Sequence, residues 1–447
     1  MDVSPLTERV RRLNFHGEVI HPGDSGYDAG RKVWNGVFDK RPAAIVRVRS
    51  VEDIVSIIDV AARSDSLLAV RCGGHSLPGL STCNDGIVLD MSLMNQIKVD
   101  SVARIAEVEG GSLLGDLDRA GAPHGLVVPA GVVSHTGAAG LTLGGGMGWL
   151  SRRYGLTIDS LISVDLVTAN GSKITASSEV EPELFWGLRG GGGNFGVVTK
   201  FRYRMHSLGP VVVGNWRYPI AAAGDALKSL HELADAAPRG LTTGFNITGT
   251  ELKVTAFWSG AGNLASKMIP PFGTLAAQAT GGHGPVEFAA HQSRHDDFLR
   301  WGRRYYSKGG FFGDLTDDVV SALARAAETM PTPDSDIYVI QLGGAVKDVS
   351  DSDTAYTGRA AKYYWLVSPV WDDTADDRRC MGWGRTIAAE FAALSMSGNY
   401  VNEQGDTGKE VAMSAYGAEK YSRLQKLKVR FDPKNLFRLN QNIEPDP

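Results

Sequence analysis

The sequence predicts an α+β fold in two domains, the second an antiparallel sheet flanked by helices. Three observations predict it. The 447 residues exceed what one simple core holds. Short strands, helices and glycine turns alternate as far as Arg204, and the texture changes around Leu208-Gly209-Pro210. From there to about Ala412 longer alternating strands and helices take over, after which the first style returns.

Taken in order, Met1–Asn14 reads as a short helix. Ala44–Val48 reads as a strand, and Ser50 is a good N-cap with Asp53 three residues on, opening an amphipathic helix to about Ser64. Leu67–Arg71 closes a strand–helix–strand unit. Strands follow at Gly86–Met91 and Arg104–Val108, with a helix at Leu113–Ala120. Ile162–Val167 and Lys173–Thr175 form a hairpin closed by Asn170-Gly171, whose residues suit a two-residue turn. Glu183–Arg189 is helical and Val197–Arg204 an alternating strand. The middle region offers strands at Val211–Trp216, Leu252–Trp258, Ile337–Leu342 and Tyr363–Val370. Its helices are Ala221–Ala236, Thr316–Ala327 and Asp376–Ala393, and a last helix runs over about Ala418–Val429.

Three glycine clusters interrupt this pattern. Arg71-Cys72-Gly73-Gly74-His75-Ser76 follows a strand, and its adjacent glycines let backbone amides approach a bulky anionic ligand, with a histidine at the rim. Gly137–Gly148 is dense in small uncharged residues, which suits either a planar ligand lying on backbone or tight packing. Gly190–Gly196 satisfies GxGxxG, but it follows a helix and opens a strand. A dinucleotide fingerprint needs the reverse, so the nicotinamide-cofactor reading is rejected.

Composition excludes several classes. A net charge of -4 without a dense Lys/Arg tract argues against nucleic acid; Arg9, Arg11 and Arg12 make a short basic face at most. Cys72, Cys83 and Cys380 form no CxxC pair, so zinc and a disulfide framework are not expected. His291 and His295 are spaced like ligands on a helix face, but without a third ligand they read as polar helix surface. No run is long enough to span a bilayer, and no apolar leader follows the first charges; the expectation is a cytoplasmic monomer or homodimer.

The blocks Gly17–Asp28, Arg71–Ser76, Gly137–Leu156, Glu183–Thr199 and Tyr421–Ile443, in this order, resemble the flavin-dependent oxidoreductases of the vanillyl-alcohol oxidase superfamily. The branch they resemble is the one named after the berberine bridge enzyme, bacterial members in particular. That resemblance implies an FAD domain of two α+β subdomains over 1–206, completed by 413–447, and a substrate domain over 207–412. It implies that Arg71, Cys72, Gly73, Gly74, His75 and Ser76 hold the pyrophosphate, with FAD covalently attached through His75. A second link in many relatives comes from a cysteine at the position that here is Val133, so a single attachment is expected. The resemblance further places Thr136, Gly137, Gly140, Leu141, Gly145, Gly146 and Gly148 along the ring and ribityl chain. Val197 is a further cofactor contact, Asn440 and Gln441 match the terminal motif that closes over the flavin, and glycines 190–193 with Asn194 help hold its adenine half.

The activity implied is hydride transfer from a C–H beside oxygen or nitrogen of a small molecule to flavin, with O2 as acceptor. Related oxidases carry a tyrosine base in a Tyr-x-Asn-Tyr pattern, whereas this chain has Tyr400-Val401-Asn402-Glu403. Glu403 is therefore one candidate base and a solvated loop carboxylate the other reading, with Tyr400 and Asn402 on one strand face beside it. Tyr305, Tyr306 and Tyr364 are further pocket candidates, and Arg359 is read as pairing with an Asp. A carbohydrate oxidase, a dehydrogenase and a flavoprotein with a binding or non-redox role stay open.

Overall fold

In the computed structural model, residues 5–446 are described, apart from 12 and 14. The expected N-terminal helix is present as Pro5–Arg11; residues 1–4, 12 and 14 of that segment, with Arg12 of the basic face among them, lie outside the described residues.

The first sheet contains β1 (Glu18–Ile20), β2 (Ala44–Arg47), β3 (Leu68–Arg71) and β4 (Ile87–Asp90) in the order β1-β2-β4-β3. β2 and β3 both run parallel to β4. The helix Val51–Arg63 makes the crossover. Ser50 accepts a hydrogen bond from the Asp53 amide, which caps its open N-terminus. Its stripe of Ile54, Ile57, Ile58 and Ala61 is buried against the sheet. Each isoleucine removed from water stabilises by about 1.5–3 kcal/mol.

The second sheet is antiparallel: β5 (Ile97–Asp100), β6 (Ile105–Glu109), β8 (Leu161–Val167), β9 (Lys173–Ser177) and β10 (Val197–Arg204), in the order β5-β6-β10-β8-β9. The expected hairpin is β8–β9, with Gly171 at φ +81 in its turn. Short strands β7 (Leu126–Val127) and β11 (His206–Ser207) pair beside it.

A seven-stranded antiparallel sheet occupies the middle of the chain. Its strands are β12 (Val211–Pro219), β13 (Leu241–Ile247), β14 (Glu251–Trp258), β15 (Thr280–Val286), β17 (Lys308–Phe312), β18 (Asp336–Gln341) and β19 (Tyr363–Ser368). Their order is β15-β12-β14-β13-β18-β19-β17, and β16 (Arg304–Tyr305) pairs with β20 (Val370–Trp371) nearby. Helices Ala223–Asp235, Asp317–Glu328 and Asp377–Ala392 pack on one face of the large sheet through Leu227, Leu230, Leu323 and Phe391. The other face, with Phe257, Ile340 and Tyr364, meets Trp149 and Leu150 of the glycine-rich segment.

The chain then returns. Its last helix, Lys409–Phe431, starts nearer the middle region than the sequence suggests and turns at Gly417 (φ +72). Leu424 and Leu427 sit in the core that also holds Trp186 and Phe195. Lys428 and Asp432, both fully buried, form a 2.7 Å ion pair, and Lys428 Nζ also donates to the carbonyls of Asn194 and Phe437. This pair pins the C-terminal segment to the third glycine cluster.

Two expectations are corrected. Tyr400 and Asn402 are not on a strand, because Val401–Glu403 is a single 3-10 turn. His291 is not on a polar surface: it is buried against Trp149 and Phe257, with Arg294 donating to its Nε2 at 2.9 Å. Among the described residues no group of His, Cys, Asp or Glu is placed to hold a metal, and no helix is long and apolar enough to cross a membrane.

Candidate active site

The three glycine clusters converge on one cavity of about 400 Å³, within the range of small-molecule and cofactor sites. Its first wall is the loop after β3. Gly74 takes φ +68, a backbone state that suits glycine, and its carbonyl accepts from the Trp34 amide at 3.1 Å. Cys72, Gly73, Gly74, His75 and Ser76 all line the cavity. Arg71 stands behind them: its guanidinium makes a buried 2.7 Å ion pair with Asp90 and donates to the Lys32 carbonyl, which fixes the loop.

The second wall is Val133–Leu143. A Cβ on Gly73 would lie 2.3 Å from the Gly137 nitrogen, so the two loops touch backbone to backbone and both positions require glycine. Val133, Thr136, Gly137, Gly140 and Leu141 face the cavity. Gly145, Gly146 and Gly148 do not. Added Cβ atoms there would collide with Tyr356, Thr157 and the Ala130 carbonyl, so these three serve close packing.

The third wall joins Gly192, Gly193 and Gly196 to Asn440 and Gln441. Asn440 donates to the Gly193 carbonyl at 3.2 Å, and Gln441 to the Asp406 carbonyl at 3.0 Å. Asn194 points away and ties Gly191 to Gln441. The Val197 side chain lies in the core of the first sheet, while its neighbours Gly196 and Val198 line the cavity.

The fourth wall comes from the middle region: Tyr305, Tyr306, Leu366 and Ser368, with Tyr400, Asn402 and Glu403 from the 3-10 turn. Asn402 Nδ2 donates to the Leu141 carbonyl (2.9 Å) and to Tyr400 Oη (2.8 Å), and the Gly146 amide donates to the same phenol at 3.2 Å. Tyr400 and Asn402 thus bind the turn to the glycine helix. Burial raises the Tyr400 pKa, with the Glu403 charge adding to it.

Glu403 is the perturbed carboxylate on this wall. Desolvation pushes its pKa up to about 7, while the facing Tyr364 phenol acts in the opposite direction. Tyr364 Oη is buried without a hydrogen-bond partner of ordinary geometry. Tyr364 itself lines no part of the cavity and packs edge-on against Tyr400 at 5.8 Å. Arg359 is structural, bidentate to Asp159 at 2.7 and 3.1 Å in the interior.

Around His75 the structure assembles groups that the sequence reading passed over. Trp34 stacks on its imidazole at 4.7 Å and on Tyr305 at 3.8 Å, and Trp301 meets it edge-on at 6.2 Å. His75 Nε2 is 2.6 Å from His135 Nδ1. The only available cue was that His135 falls between Val133 and Thr136. Burial lowers the His75 pKa well below its ordinary value, and the neighbouring His135 lowers it further.

These residues fit a long, flat, anionic cofactor. Cβ atoms added at Gly140 and Gly193 meet nothing within 4 Å, so glycine leaves room at the cavity wall. Asn440 Oδ1 and Gln441 Oε1 are buried without a partner on that wall. FAD would lie along the three glycine walls, with these two amides and the backbone amides as its polar contacts.

Comparison with known proteins agrees. Residues 42–177 match the FAD binding domain family model and 399–444 the berberine and berberine-like model. The (R)-6-hydroxynicotine oxidase of Paenarthrobacter nicotinovorans is 30% identical over 97% of this chain and 98% of its own. The crystal structure of 6-hydroxy-D-nicotine oxidase from Arthrobacter nicotinovorans is similar with a TM-score of 0.88 at 27% identity, covering 100% of each chain. The glucooligosaccharide oxidase of Acremonium strictum, which bears a 6-S-cysteinyl, 8α-N1-histidyl FAD, shares the fold at a TM-score of 0.90 and 22% identity, covering 99% of this chain and 100% of its own. With its glycine walls and both family segments in place, this chain belongs to the berberine bridge-like FAD-linked oxidoreductases of the vanillyl-alcohol oxidase superfamily, and it is an FAD-dependent oxidoreductase.

Proposed function

We infer that the protein is an oxidase for a small molecule carrying a C–H bond beside oxygen or nitrogen, with FAD attached through His75 alone and Glu403 as the base. Residues 1–206 with 413–447 form the flavin-holding unit, and 207–412 supply the substrate side. The observation that carries this reading is a cavity-lining carboxylate, Glu403, with its pKa raised to about 7. Bound flavin supplies a hydride acceptor that O2 reoxidises.

The chain's own residues do the rest. Glu403, ionised in about half the molecules at neutral pH, is poised to take the O–H or N–H proton of the substrate. Ser307 Oγ donates to the Glu403 carbonyl at 3.0 Å and fixes the turn that presents it. Leu366 and Tyr306 give the cavity an apolar lining that limits water. Thr136 leaves a small side chain on the flavin wall, which supports access for O2. Val133 offers no thiolate, so the histidine is the sole tether.

The test is an anaerobic screen of amines, hydroxylated aromatics, secondary alcohols and oligosaccharides, followed at the flavin absorbance band. Bleaching by one class, with hydrogen peroxide formed on admission of air, is the expected result. A flavin that every class leaves oxidised would refute the oxidase reading in favour of a binding role.

A further inference from the structure

We propose that Arg294, with the Tyr338 hydroxyl beside it, is the anion-recognising end of the substrate site, so that the molecule oxidised here carries a carboxylate. This deepens the reading of the cavity as a substrate site and rests on it.

Arg294 lies in the turn after the short helix Phe288–Gln292, with its guanidinium over the Trp149 ring at 5.1 Å. Only one of its nitrogens is engaged: Nη1 donates to His291 Nε2 at 2.9 Å and to the His291 carbonyl at 2.7 Å. Both partners are neutral, because burial keeps the His291 ring uncharged. Desolvation lowers the Arg294 pKa to about 10, and no carboxylate among the described residues offsets it. Asp296 is engaged by Ser134, and Asp336 by Asn246. Two other interior arginines show what a full set of partners looks like: Arg359 is bidentate to Asp159, and Arg152 spends Nε, Nη1 and Nη2 on three carbonyls. In Arg294 the Nε–Nη2 edge has no partner among the described residues, yet it is not sealed in. That edge is the fork that matches the two oxygens of a carboxylate. A cation withdrawn from water without a counter-charge is unfavourable, and an arriving anion relieves it.

Tyr338 connects this edge to the cavity. It stands opposite Leu366 in the large sheet, and Asp336, two residues earlier, stands opposite Ser368. Leu366 and Ser368 both line the cavity, so Tyr338 shares their face. Its hydroxyl is buried without a hydrogen-bond partner. Burial raises the Tyr338 pKa, Arg294 lowers it and Glu403 raises it again, so the phenol stays protonated within reach of both charges. A substrate with its reactive C–H at Glu403 and its acid group directed along Tyr338 satisfies the phenol O–H and the free guanidinium edge together. One positive charge balances a monoanionic carboxylate, whereas a phosphate dianion would keep a negative charge in the enclosed site.

The experiment titrates benzoate, benzamide and phenyl phosphate into the FAD-loaded protein at pH 7 and reads the heat of binding together with the flavin absorbance band. Benzoate should bind about 30-fold more tightly than its neutral isostere benzamide, more tightly than phenyl phosphate, and should shift the flavin band. Arg294→Leu should remove the preference for benzoate, and Tyr338→Phe should reduce it about tenfold, while benzamide affinity holds in both. Equal affinity for benzoate and benzamide in the wild type overturns the proposal. So does tighter binding of phenyl phosphate, benzoate heat without a band shift, or a preference left intact in the variants. Should Arg294→Leu fail to fold, the wild-type comparison and Tyr338→Phe still decide. The oxidase reading falls on a different result, a flavin that no class of substrate bleaches, which leaves these affinities untouched.

Discussion

Replacing Glu403 with Gln keeps the shape of the cavity wall and removes its titrating group. With a pKa of about 7, the carboxylate is ionised in roughly a tenth of molecules at pH 6, half at pH 7 and nine-tenths at pH 8. The ionised form is the base. The limiting rate of flavin reduction by a bound substrate should therefore climb about tenfold between pH 6 and pH 8 and then level off. In Glu403→Gln that rate should fall by about 10²–10⁴, and the inflection should disappear. Tyr364→Phe should move the inflection to higher pH, because the phenol lowers the Glu403 pKa. Stopped-flow absorbance under anaerobic conditions reads all three. An unchanged reduction rate in Glu403→Gln, or an inflection that persists there, refutes Glu403 as the base.

Other expectations concern the scaffold. Gly140→Leu places a side chain in open space on the flavin wall, so the variant should keep its circular dichroism spectrum and lose its yellow colour. Asp118 is buried with one oxygen unpartnered, and desolvation raises its pKa to about 7. The folded state then binds a proton more tightly than the unfolded chain, so its stability contribution is complete below about pH 4 and is lost as pH rises through 7. Asp118→Asn should accordingly stabilise the protein by about 2–4 kcal/mol at pH 8 and hardly at all at pH 4, as read by denaturant titration. Arg359→Leu leaves Asp159 charged and unpaired in the interior, at a cost of about 3–5 kcal/mol; a melting temperature within a degree of wild type would contradict that role for the pair.

Much of this architecture is legible in the chain because local signals and tertiary packing agree. Ser50 caps where it should, Asn170-Gly171 turns β8 into β9, and the GxGxxG of Gly191–Gly196 opens a strand, which removes the nicotinamide reading on geometry alone. β17 was missed for a physical reason. Its Gly309 and Gly310 carry no strand propensity, and they are there because Tyr364 Oη and the Trp365 ring fill the space that a Cβ would take. β15 is likewise a glycine-rich edge strand with Pro285, held by its pairing to β12. The site divides in the same way. Loop glycines and His75 announce themselves in sequence, whereas Trp34 and His135 reach that imidazole from distant segments, with Asp296 standing 3.9 Å behind His135. The difference between Gly140, open to the cavity, and Gly146, packed on Thr157, depends on what lies opposite, which no single stretch of sequence contains.

The most direct measurement on the central claim is the intact mass of the denatured chain, wild type beside His75→Ala. The account predicts one FAD on the wild-type polypeptide and none on the variant, with the variant still folded. An unmodified wild-type mass, or flavin retained by His75→Ala, would contradict it.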